Sequence, residues 1–128
     1  MNAKELARQI EAMYRAETPR PFSWDDINSL RAIDPVEWDL FWTYWLHFEA
    51  DVAGYAQSAR RFLRGSREQI EKAREGLCLS FFEAYPNYRI FEPHITRSST
   101  PQLFDEMQQA EELRLQLIAL FNLIEEQS

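Results

Sequence analysis

The chain has 128 residues, 45% hydrophobic and 14% aromatic, which is enough apolar surface for one core and too much for a disordered chain. Its net charge of −7 is dispersed, −2 over residues 1–64 and −5 over residues 65–128, so neither half carries the concentrated basic patch that nucleic-acid binding requires. The longest uncharged stretches, Leu40–Phe48 and Leu115–Ile124, fall far short of the roughly 20 residues that span a bilayer, which argues against membrane insertion.

Charges recur every few residues from the N-terminus onward, where a secretion signal needs an apolar run. The single cysteine, Cys78, excludes an internal disulfide and a cysteine-built zinc site. Only three glycines, at 54, 65 and 76, are available for tight turns, too few for an all-β chain. A single all-α domain over residues 1–128, cytoplasmic and without cofactor or metal, is expected.

Ala3, Leu6, Ile10 and Met13 repeat at steps of three and four, predicting an amphipathic helix over 3–17. Thr18-Pro19-Arg20-Pro21 ends it and opens a linker over 18–23, because proline removes an amide donor and disfavours helix in the residue before it. Ser23 is placed to cap a short helix over Trp24–Ala32. Asp34, Pro35 and Glu37 then stand at the N-cap, first and third positions of a new helix. From there Trp38, Phe41, Trp45, Phe48, Val52, Tyr55, Ala59 and Phe62 form an unbroken apolar seam.

That spacing predicts one long central helix over about 35–64, ended by a left-handed Gly65 and followed at once by a helix that Ser66 and Gln69 cap. The two make a helical hairpin at Gly65. Its second arm, expected over 67–85, carries Ile70, Ala73, Leu77, Phe81 and Ala84 on one face. Residues 86–100 read as a long loop. Ser99 or Thr100 caps a long C-terminal helix lined by Leu103, Ala110, Leu113, Leu117, Leu120 and Ile124. The expected architecture is a small antiparallel bundle, with the N-terminal helix across one end.

The hairpin arms do not match. At 1.5 Å per residue the first is about 43 Å long and the second about 28 Å, so the second reaches back only to about Trp45. Trp38, Phe41, Trp42 and Tyr44 lie beyond it, in a stretch where six of eleven residues are aromatic. Trp42 and Leu46 also sit off the main seam. Two readings follow: the loop, through Tyr88, Ile90 and Phe91, folds over these rings, or Trp38, Trp42, Tyr44, Leu46, Tyr88 and Phe91 meet a partner, a homodimer being the preferred form.

Asp39, Thr43, His47 and Asp51 share a polar helix face, and a His47–Asp51 pair has the elements of an oriented proton-transfer group. A solvated face looks the same, and no nucleophile elbow, phosphate loop or HExxH accompanies it. The Glu-x-x-His of di-iron bundles is also missing, since Tyr44 stands three residues before His47 and His94 lies in the loop. Arg60, Arg61, Arg64 and Arg67 put four cations within eight residues, suited to a helix C-terminus and also to an anion or acidic partner. The expected function is that of a non-enzymatic accessory protein, a regulator, inhibitor or assembly factor working through protein–protein contacts. One alternative is an acidic immunity- or antitoxin-type inhibitor of a basic enzyme. The other is a small enzyme or ligand-binding bundle using His47 and Asp51.

Overall fold

The computed structural model describes residues 1–16 and 24–127, so the linker expected over 18–23 and its Ser23 cap lie outside the described residues. The fold is all-α. Among the described residues six α-helices follow in order: α1 (Ala3–Ala16), α2 (Trp24–Arg31), α3 (Pro35–Gln57), α4 (Arg67–Leu77), α5 (Phe81–Ala84) and α6 (Pro101–Gln127). Three 3₁₀ turns at Ala59–Arg64, Pro86–Ile90 and Glu92–His94 join them, and no strand occurs among the described residues.

Local capping chemistry sets several of the starts. Asn2 Oδ1 accepts the Glu5 amide at 2.8 Å and opens α1. Asp34 Oδ1 accepts the Glu37 amide at 3.1 Å and Pro35 fills the first position of α3. Ser66 and Gln69 form the reciprocal box expected of them, with bonds of 3.2 and 3.0 Å.

The long central helix is shorter than its seam implied. α3 ends at Gln57, where the Ser58 hydroxyl donates back to the Gly54 carbonyl at 3.2 Å and the backbone leaves helical geometry at φ −128°, ψ 41°. The Arg60 amide that this break frees donates to Glu11 Oε2 at 2.8 Å, and Arg60 Nε donates to both carboxylate oxygens at 3.1 and 3.0 Å. The carboxylate of α1 thereby starts the 3₁₀ turn. Gly65, expected to be left-handed, is extended at φ −76°, ψ 156°. The 3₁₀ turn already closes itself through Gly65 N–H to Phe62 O at 3.1 Å, so no left-handed cap is required. Space matters there instead: a Cβ on Gly65 would sit 3.2 Å from Gln69 Oε1, the atom that caps α4.

The helix expected over 67–85 is two helices. Arg114 of α6 donates through Nη1 to the Leu77 carbonyl at 2.8 Å, satisfying one of the last carbonyls of α4. Ser80 then restarts the chain, its amide and hydroxyl both donating to Glu83 Oε1, at 3.1 and 2.6 Å. Thr100 stands at the N-cap position of α6, its carbonyl accepting the Phe104 amide at 2.9 Å, while its Oγ1 accepts the Thr96 amide and Ser99 Oγ donates to the His94 carbonyl.

The interior forms two clusters. In the first, Ala3, Leu6, Ala7 and Ile10 of α1 pack on Val52, Ala56 and Ala59, on Ile70, Ala73 and Leu77 of α4, and on the C-terminal half of α6 from Leu113 to Phe121. α1 lies against α6, α3 and the 59–64 turn, while α4 packs on α6. The second cluster unites Leu30, the aromatic start of α3, Phe81, Tyr88, Phe91, Ile95 and the N-terminal half of α6. Phe48 touches both. The Trp45 indole N–H, deep in the second cluster, has no acceptor among the described residues.

Two carboxylates titrate in opposite senses. Burial alone would raise Glu11, but the hydrogen bonds and charge of Arg60, with Arg15 nearby, outweigh it and hold Glu11 below its ordinary 4.5. Glu49 of α3, hydrogen-bonded to Glu106 of α6, is raised by burial above the same value despite that bond. Glu11→Gln is therefore expected to destabilise the protein by about 1–3 kcal/mol at neutral pH in urea unfolding. Because its folded pKa is depressed, the gap to wild type should close as pH falls below 4.5. Glu49→Gln has the opposite sign. Wild type loses stability as pH rises through the raised folded pKa, so this variant should be the more stable at pH 7, with its advantage vanishing in acid.

Candidate functional site

The aromatic start of α3 is covered by the chain's own 85–95 segment. Phe91 meets Phe41 at 5.0 Å and stands edge-on to Trp38 at 5.7 Å, and Tyr88 stands edge-on to Phe41 at 5.9 Å. Residues 86–100, expected as a loop, make two 3₁₀ turns because Tyr88, Phe91 and Ile95 must all point inward. Burial pushes the Tyr88 phenol above its ordinary range. Of the residues expected at a partner interface, Trp38, Tyr88 and Phe91 are thus interior, and Trp42 is half-buried against Trp38, centroids 5.5 Å apart. Tyr44 and Leu46 are exposed.

The outward face of α3 carries a different apolar line. Val36, Leu40 and Tyr44 follow at intervals of four and are 72%, 46% and 39% exposed. Composition hid Val36 and Leu40, since a valine and a leucine look like core beside so many rings. Tyr44 is braced from behind by Tyr85, stacked at 4.9 Å, and by Tyr88 at 6.0 Å. His47 and Asp51 continue the same face, both exposed, and no hydrogen bond joins them among the described residues. An oriented imidazole–carboxylate pair is not formed.

The arginine run is divided by the fold. Arg60 is held by Glu11, and Arg67 pairs with Glu71 at 3.1 Å on the exposed side of α4. Arg61 and Arg64 instead line a cleft of about 590 Å³ between the end of α3, the 3₁₀ turn and α4. Lys72 joins them from α4, with Gln69 one turn before it. Sequence reading missed Lys72 because it stands apart from the run. The sign available was its spacing of three from Gln69 and its place next to Ala73, a seam residue. Asp51 contributes the one carboxylate of the lining among the described residues. A second, more apolar cleft of about 630 Å³ lies between α3, α5 and α6, rimmed by Phe82, Phe104, Met107 and Leu115. Neither cleft is lined by His47. Among the described residues no group of three or more His, Cys, Asp or Glu side chains is placed to hold a metal ion, and no helix is long and apolar enough to cross a membrane.

The interior placement of Phe91 has a measurable consequence. Phe91→Ala should cost about 3–5 kcal/mol in chemical denaturation, as for a fully enclosed ring, whereas Ile90→Ala, at an exposed neighbouring position, should stay within about 0.5 kcal/mol of wild type. Compared with known proteins, the chain matches no family model, no curated protein and no solved structure.

Proposed function

We propose that the protein is a non-enzymatic accessory protein of the cytoplasm, a regulator, inhibitor or assembly factor, that acts by contact with another protein chain and associates with a second copy of itself through the outward face of α3. The observation that carries this reading is the line Val36, Leu40 and Tyr44. Three apolar side chains at intervals of four present a continuous ridge to solvent, and burying such a ridge against a partner is favourable at about 25 cal/mol per Å². Tyrosine is among the residues that anchor interfaces, because its ring buries a large area with few rotors. Tyr44 is already immobilised by the rings behind it, so it loses little further freedom on docking.

A two-fold pairing suits this face, since one helix ridge can meet its own copy and each half supplies the same residues. Leu46, exposed at the flank of the ridge, would extend the contact. The inhibitor form of the reading draws on charge: the net −7 is distributed over the remaining surface, and a basic enzyme would be attracted to it in a salt-sensitive manner.

Sedimentation velocity between about 1 and 100 µM, the range in which a modest dimer dissociates, tests the pairing. Wild type is expected to shift from monomer to dimer over that range. Val36→Glu with Leu40→Glu should remain monomeric at every concentration and keep the wild-type circular dichroism spectrum. A wild type still monomeric at the top of the range would falsify the self-association.

A further inference from the structure

We propose that the cleft between α3 and α4 is a binding site for a small organic phosphate bearing a planar ring, a molecule of nucleotide size. This site is independent of the ridge on α3 and of the self-association assigned to it.

The first support is the pairing of the cations. Among the described residues, Arg15, Arg60, Arg67, Arg74, Arg89 and Arg114 each meet a carboxylate, and Arg97 lies over the Phe104 ring. Six other side-chain cations have no such partner among the described residues: Lys4, Arg8, Arg31, Arg61, Arg64 and Lys72. Half of these line this one cleft, against a single carboxylate, in a chain whose overall charge is −7. A chain this acidic has carboxylates to spare for its arginines. Leaving three cations unpaired around a concavity creates a local positive field that a phosphate is suited to neutralise, with arginine able to hold two of its oxygens at once.

Shape and the remaining lining narrow the class. About 590 Å³ lies within the roughly 300–1,000 Å³ range of small-molecule sites. Tyr55 and Phe62 line the cleft with their rings 5.6 Å apart and inclined at 60°, an aromatic surface on which a planar ring can stack. Gln69 uses its Oε1 to accept the Ser66 amide, which leaves its NH₂ as a donor for anionic oxygen. Asp51 and the Tyr55 hydroxyl supply acceptors for the hydroxyl or amine groups of such a ligand. An acidic peptide would use the cations without needing the rings.

The test is a two-dimensional ¹H–¹⁵N titration of the full chain at constant ionic strength with ADP, with pyrophosphate and with tetraglutamate. Its internal reference is built in: Gly54 and Gly65 line the cleft, and Gly76 does not. ADP is expected to move the Gly54 and Gly65 amides saturably with a micromolar Kd, leave Gly76 in place, and bind at least about tenfold more tightly than pyrophosphate, the difference being the stacked ring. Arg61→Ala with Arg64→Ala should weaken ADP about tenfold or more without lowering the melting temperature. Lys72→Glu, an exposed change on α4, provides the same comparison should the double variant fail to fold. Shifts that do not saturate, shifts that include Gly76, affinity unchanged in the variants, pyrophosphate binding as tightly as ADP, or tetraglutamate binding more tightly than ADP would each overturn the proposal.

Discussion

The contact between Glu11 and Arg60 governs much of the fold. α3 must stop at Gln57 for the chain to turn, and stopping a helix strands backbone donors that water would otherwise have to satisfy. Here a carboxylate from the first helix takes one of them, and the same carboxylate holds the guanidinium of the residue whose amide it accepts. Because Glu11 is only 7% exposed, the bonds form away from most of the solvent and count for more than a surface pair. The interaction fixes α1 against the turn, and the turn sends α4 away from α3 toward α6. The basic cleft is the gap that this divergence leaves.

At the other end of α3 the constraint is bulk rather than charge. Phe41 is ringed by Trp38, Phe81, Phe82, Tyr88 and Phe91, mostly in stacked or edge-on geometry. These rings are too large for the short α4 to cover, so the chain breaks at Ser80 and wraps a run of tight turns over them. The wrap saturates the inner side of α3 and leaves its outer side to carry Val36, Leu40 and Tyr44. Core and exposed ridge are therefore two faces of one helix, separated by which rings the 85–95 segment can reach.

Features with local causes were legible in the sequence. The all-α class, the Asp34–Glu37 start of α3, the Ser66–Gln69 box and the seam of α6 each depend on residues within a turn or two of one another. One local sign went unread: Ser80 and Glu83 have the spacing of a capping box, but the apolar series through Leu77, Phe81 and Ala84 continued across it and suggested one helix. The break after Gln57 had no comparable sign, since the carboxylate that accepts the freed Arg60 amide lies 49 residues before Arg60, in α1. The candidate sites follow the same division. Arg61 and Arg64 stood out as part of a charge run. Only the fold removes Arg60 and Arg67 from that run, brings in Lys72, and turns Trp38, Tyr88 and Phe91 inward.

The pairing of α1 with α6 bears on the order in which the molecule is assembled. α1 ends at Ala16, and the half of α6 it packs against begins near Leu113, so the first cluster joins segments separated by almost the whole chain. On a ribosome, α1 can meet α3 and the 59–64 turn early, but its apolar face stays incompletely covered until α6 is synthesised. The second cluster draws on residues from Leu30 to Ala110 and needs nothing later. Synthesis therefore favours the aromatic half as the earlier complete cluster, with α1 fully enclosed only once the 113–121 stretch of α6 has been made.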